Sequence, residues 1–203
     1  MNKSVAPTKG NLMTVKNTLK LSTQGYEMLD KKRNILIREM MQLIEEAKEI
    51  QANIESTFAE AYKALGSANL VMGVEHVKEL MHAVVVEESV QIKLRSVMGV
   101  EIPTVSIDEK NDSLPYGLYG TSSALDDAMI KFTKVKKLTV RLAEIENAVY
   151  RLAMNIKKTQ KRANALKNIT IPLYEGLSKD ISNSLEEKER EEHTRLKIIK
   201  KNS

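Results

Sequence analysis

The chain has 203 residues, 42 % hydrophobic and 29 % charged, with no Cys, no Trp, only 4 % aromatic residues and a formal net charge of +5. Without Cys there are no disulfides and no thiolate metal sites; without an 18-residue apolar run there is no membrane span. The apolar share is mainly Leu, Ile, Val, Met and Ala, which favours long helices over a compact α/β enzyme.

The opening MNKSVAPTKG has no apolar h-region, so no secretory signal is expected. From Leu12, steps of three and four reach Ala64 without a slip of phase. Thirteen of these sixteen positions are apolar, the exceptions being Ser22, Arg33 and Thr57. A register held this long predicts a coiled-coil helix, and the strict 3.5-residue repeat predicts a left-handed supercoil. Gly25 lies inside it, at a cost of about 1 kcal/mol in a helix.

The middle, 67–122, breaks the pattern with Gly66, Gly73, Gly99, Pro103, Pro115, Gly117 and Gly120 around it. Val74–Ala83 reads as a short helix. Val90 to Arg95 alternates apolar and polar, with Val90, Ile92 and Leu94 in phase. Val100 to Ile107, with Ile102, reads as a second strand, so a hairpin turning at Ser96–Gly99 is expected. Two strands are marginal alone, so this head should pack on the coil or on a partner. Thr121-Ser122-Ser123 followed by Asp126 and Asp127 signals the start of another helix.

The second heptad run goes from Val135 to Leu177, with eleven of thirteen positions apolar. Pro172 removes a backbone donor and predicts a kink, while Leu173 and Leu177 keep the phase, so the helix should continue. Each apolar seam is narrow and needs a partner. Folding the two runs back on each other, with residue numbers summing to roughly 190, predicts an antiparallel pair. The fold class is therefore all-α: a long antiparallel two-helix coiled coil with a small central head of one short helix and a β-hairpin. The expected parts are 1–66, 67–122 and 123–203. Leu36, Met40, Leu43, Leu142, Ile145 and Val149 should form the stiffest seam. About 181–203 should overhang as a single, mostly polar helix.

Charge is banded. Residues 1–26 hold four Lys and no acid, 39–60 hold six Glu against Lys48, and 131–167 hold eleven Lys or Arg against Glu144 and Glu146. Antiparallel pairing sets the acidic band opposite Lys131, Lys134, Lys136, Lys137, Arg141 and Arg151. The alternative, a nucleic-acid surface, has only Phe132 and Tyr150 to offer for stacking. No P-loop motif occurs, and His76 and His82 are six apart, off a common helical face. Paired acids such as Glu45-Glu46, Glu87-Glu88 and Glu186-Glu187 sit on polar surface where acid–base chemistry lacks a cleft. Sequons at Asn111 and Asn168 read as chance. No catalytic, metal or cofactor site is expected.

Local strings resemble the D subunit of the V-type/A-type rotary ATPases. Pro7-Thr8-Lys9, Asn11-Leu12, Lys16, Leu19, Gly25, Leu29 and Lys31-Lys32-Arg33 resemble that family's opening signature. Lys161-Arg162-Ala163-Asn164-Ala165-Leu166 with Ile171-Pro172 resembles its C-terminal block, departing from it at Lys161, Ala163 and Lys167. Val97-Met98-Gly99-Val100 with Pro103, and Pro115-Tyr116-Gly117-Leu118, resemble its middle more loosely. The resemblance implies a non-catalytic central-stalk rotor, cytoplasmic and peripheral to the membrane, whose two chain ends enter a ring of catalytic and non-catalytic subunits. It implies a small central-stalk F subunit on the coil, a socket subunit joining the head to the membrane rotor ring, and no cofactor or nucleic acid. Ring contact is expected from Pro7, Thr8, Lys9, Asn11, Lys32, Arg33, Lys161, Arg162, Asn164 and Arg195. An autonomous scaffold or export-apparatus coiled coil is the alternative of another class.

Overall fold

The computed structural model describes residues 6–84, 89–107, 116–117 and 119–202. Pro115, Leu118, the Asn111 sequon and Glu87-Glu88 lie outside them. The elements are α1 (Lys9–Met72), α2 (Val74–Met81), β1 (Val90–Val97), β2 (Val100–Ile107), α3 (Ser123–Ala165), a π-helical turn (Leu166–Thr170) and α4 (Ile171–Asn202). The fold is all-α with one small antiparallel hairpin, as the periodicities predict. Two compact units make up the chain: Met1–Asn34 with Ile156–Ser203, and Ile35–Asn155.

In the first unit α1 starts at Lys9, not at Leu12, because Thr8 caps it. Thr8 Oγ1 accepts the Asn11 N–H at 3.3 Å and the Thr8 carbonyl accepts the Leu12 N–H at 3.0 Å. These bonds satisfy amides that every helix start leaves without a partner. The helices run antiparallel, since advancing along α1 meets receding numbers opposite. Lys9 pairs with Glu189 at 2.9 Å, Gly25 lies against Leu166, and Arg33 bonds Gln160 at 2.8 Å. Val15, Ala163 and Ile181 are buried. Packing thus continues past the buried Ile181, where the overhang is expected to begin, and the exposed Lys9 pair reaches Glu189. From Glu186 to Lys201 the helix is exposed on all sides, with Glu186 and Arg190 paired at 3.6 Å.

Ahead of Pro172 the backbone widens. The Ile171 N–H bonds the Leu166 carbonyl five residues back, one more than an α-helix uses. A proline ring crowds the carbonyl four residues behind it, here that of Asn168, and the π turn is the local accommodation. The helix then continues to Asn202. Gly25 faces the opposite helix. A Cβ there would sit an ordinary 3.7 Å from Leu166 Cδ1.

The second unit holds the larger side chains. Leu36, Ile145 and Leu152 are essentially inaccessible. Tyr62 meets Phe132 edge-on at 5.5 Å, an antiparallel crossing of α1 and α3. α1 runs through Gly66 to Met72 and breaks at Gly73, whose φ of 86° suits only glycine. The Gly73 N–H bonds the Asn69 carbonyl and the Gly73 carbonyl accepts the Val77 N–H, so one residue closes α1 and opens α2. Ala68, Val77, Tyr116 and Leu125 form a buried cluster there. The hairpin turns tightly at Met98 and Gly99, both with positive φ (51° and 74°), the two-residue geometry that matches strand twist. Val90 pairs with Ile107 and Val97 with Val100, so the register is unbroken.

Candidate functional site

The functional features of the described residues are surfaces. The groups of the first unit come first. Lys9 and Glu189 are both well exposed, and the carboxylate holds the Lys9 ammonium pKa above its ordinary value, chiefly by hydrogen bonding. Asn11 does not point outward: its side-chain amide bonds the Ala6 carbonyl at 2.8 Å and secures the chain ahead of α1. Arg33 is turned inward toward α3, bonding Gln160, which donates to Asn164 Oδ1 at 2.8 Å. Lys32 and Pro7 are half-buried, and Lys161, Arg162 and Arg195 are exposed. Thus of the ten residues expected at a ring contact, Thr8, Asn11, Arg33 and Asn164 make hydrogen bonds inside the unit. Lys161, Arg162 and Arg195 present free-standing surface. Lys167 lies over the Tyr26 ring at 5.7 Å, so the two terminal blocks that carry the family resemblance pack on each other.

In the second unit the hairpin residues divide. Val100 and Ile102 are buried; Val90, Ile92 and Leu94, alternate positions on β1, are exposed. Ile102 and Pro103 line a cavity of about 180 Å³ with Leu43 and Ile145, so the hairpin lies against α1 and α3. Two arginines tie it down. Arg95 meets Glu39 at 2.7 Å and Arg151 donates to the Glu101 carbonyl at 3.2 Å. Of the seam residues, Leu36 and Ile145 are fully buried, while Met40, Leu43, Leu142 and Val149 are half-buried.

The expected charge complementarity is seen at Arg141. Arg141 reaches Glu46 at 2.6 Å and also holds Glu144, a buried acid on its own helix, at 2.8 Å. These bonds, the one to Glu46 foremost, raise the Arg141 pKa. Lys131 turns instead to Asp127 on its own helix, and Arg151 serves the hairpin.

Beside the hairpin-bearing segment lies an open groove of about 370 Å³ walled by apolar side chains. It runs from Tyr62 and Leu65 past Val77 and Leu80 to Met129 and Phe132. Tyr116 closes one side; its hydroxyl donates to Asp126 at 2.9 Å. Burial, then that carboxylate, push its pKa up to about 12. Met81, on the groove wall, is exposed, as are Leu70, Val71, Val74 and Tyr119 elsewhere in the same unit. Among the described residues no His, Asp and Glu cluster could hold a metal, and no helix is long and apolar enough to cross a membrane.

Residues 11–201 match the family model for the ATP synthase D subunit. The chain belongs to the ATP synthase D-subunit family. It is 48 % identical over 197 residues to the V-type ATP synthase D subunit of Thermotoga neapolitana, covering 97 % of each chain. It is 36 % identical over 199 residues to the A-type ATP synthase D subunit of Pyrococcus furiosus, covering 97 % of this chain and 93 % of the other. A third relative, the A-type ATP synthase D subunit of Methanosphaera stadtmanae, is 37 % identical over 203 residues, at 98 % and 94 % coverage. Family membership therefore applies to the whole chain, both terminal blocks and the head included. Gln160, Arg95, Glu144 and Tyr116 stand out only in three dimensions, because each acts through a partner that the heptad pattern does not mark. Only the four-residue spacing of Gln160 and Asn164 offers a signal in the sequence.

Proposed function

We propose that this chain is the central rotor shaft of a V-type/A-type rotary ATPase, passing torque between the nucleotide-processing ring and ion transport across the membrane. It is a mechanical subunit and performs no bond chemistry. The observation that supports this most is the match to ATP synthase D subunits over essentially the full length, on a fold made of long antiparallel helices. A continuous apolar seam resists separation and sliding of the two helices, as a shaft requires.

In this reading the first unit enters the ring of catalytic and non-catalytic subunits. Its acid-free N-terminal stretch, with Lys157, Lys158, Lys161 and Arg162, forms a basic collar toward acidic ring loops. Solvated charge is the alternative for that collar. The second unit carries the small F subunit on its coil. Its open apolar groove, walled in part by the exposed Met81 and Tyr62, meets the socket subunit above the membrane rotor ring, since exposed apolar surface of this kind marks an interface. The chain then works on the cytoplasmic side, peripheral to the membrane.

Tagged full-length chain recovered from native lysate tests the reading. Co-purification of a large ATPase subunit pair with a small subunit supports it. Recovery alone, as an autonomous coiled coil, or with nucleic acid released by moderate salt, overturns it.

A further inference from the structure

The seam of the first unit near Arg33 is mixed, with half-buried Leu29, Ile156 and Leu166 standing among small or polar positions. Ser22, Tyr26 and Arg33 stand on α1, and Thr159 and Ala163 on α3. Small and polar seam positions specify register weakly, because sliding by a heptad swaps one small contact for another. Yet at this level the structure places a polar chain. The Arg33 guanidinium donates to Gln160 Oε1 at 2.8 Å and meets Asp30 at 2.7 Å on its own helix. It also donates to Asn34 Oδ1, from Nη2 at 3.2 Å and from Nε at 3.4 Å. Gln160 passes the bond on to Asn164 at 2.8 Å. The Arg33 side chain is only 24 % exposed.

The same position in neighbouring registers is hostile. A one-heptad slide sets Arg33 opposite Lys167, a like charge, or opposite Ala153, which offers no side-chain acceptor. Either leaves a partly buried guanidinium short of a cross-helix partner, and that penalty discriminates between registers more than the native bond adds to stability. The placement along the chain matters too. Leu166–Thr170, two residues beyond Asn164, is the π turn, where α3 gives way to α4 with one extra residue. A seam whose phase changes there needs a fixed point next to it.

We propose that Arg33, acting through Gln160 and Asn164, is the positioning residue that fixes the register between α1 and α3 in the unit formed by the chain ends. It does so at some expense of stability, as single polar seam residues do in coiled coils. The register claim stands whether or not the rotor reading holds. Its use in a shaft, holding the two helices in one axial setting under torque, rests on that reading.

The absence of native Cys makes the test clean. Full-length chains carry Gly25→Cys with Leu166→Cys, the native contact, or Gly25→Cys with Thr159→Cys or Leu173→Cys, each one heptad away. A short bifunctional thiol reagent reads the register, and circular dichroism reads the thermal midpoint. The parent chain should crosslink 25 to 166. Arg33→Met should keep or raise the midpoint while the ratio of native to shifted crosslinks falls about threefold or more. Arg33→Lys, which keeps one donor, should restore part of that ratio. An Arg33→Met chain with the native crosslink ratio unchanged overturns the proposal, whatever its midpoint. If Arg33→Met fails to fold, Arg33→Gln gives the same reading, and an unchanged ratio there overturns it equally.

Discussion

The unit formed by the chain ends and the unit from Ile35 to Asn155 use the same pair of long helices in different ways. The first carries 19 Lys and Arg against 9 Asp and Glu, the second 13 against 18. The first is held by modest seam residues such as Val15, Ala163 and Ile181, plus the Arg33 chain of hydrogen bonds. The second buries Leu36, Ile145 and Leu152 and adds α2, the hairpin and the Tyr116 cluster on top. A heptad run predicts that two helices pair. It does not predict that one stretch depends on apolar volume and the other on polar specificity.

The largest effect expected from this contrast is in the second unit. Leu36→Ala or Ile145→Ala should cost about 2–5 kcal/mol, as fully buried large side chains do. Val15→Ala in the first unit should cost visibly less. Urea unfolding followed by circular dichroism compares them, and equal losses would erase the distinction between the units.

Tyr116 gives a smaller effect with a pH signature. Tyr116→Phe removes the bond to Asp126 and should cost about 1 kcal/mol near neutrality. The folded-state pKa of Tyr116 is raised from 10.0 to about 12. The unfolded chain therefore loses this proton first as pH rises. The associated stability is complete below pH 10 and lost by about pH 12. Thermal midpoints taken across that window should fall more steeply for the parent than for Tyr116→Phe.

Gly25 works in the opposite direction. An added Cβ meets Leu166 at an ordinary 3.7 Å, so Gly25→Ala should gain up to about 1 kcal/mol of helix propensity. A loss instead would show that the helices approach there more closely than the 3.7 Å contact implies. The smallest effect belongs to Lys9→Ala. Its pair with Glu189 is exposed on both sides, and the thermal midpoint should not move measurably.

Much of this is legible in the residues. Leu36, Leu43 and Ile145 stand at seam positions because nothing else repeats every three and four residues for so long. The hairpin follows from the alternation at Val90–Leu94 and the Met98-Gly99 turn. The misses share one cause, namely that side-chain bonds between distant residues leave no periodic trace. The capping role of Thr8 is hidden because the apolar phase starts only at Leu12. The expected overhang starts too early because neither the three extra residues of α1 nor the π turn ahead of Pro172 shows in a heptad count. Arg33 stands in the heptad seam, but its bond to Gln160 is hidden because it requires knowing the register beforehand.

The proposed rotor depends above all on a division of labour: the chain ends serve the ring, and the Ile35–Asn155 unit serves the stalk partners. Full-length chain and a version cut after Leu177 should be mixed with ring subunits and with the small stalk subunit, and the complexes separated by size. The expected result is that the cut chain loses the ring and keeps the small subunit. A cut chain that keeps the ring while losing the small subunit would contradict that division.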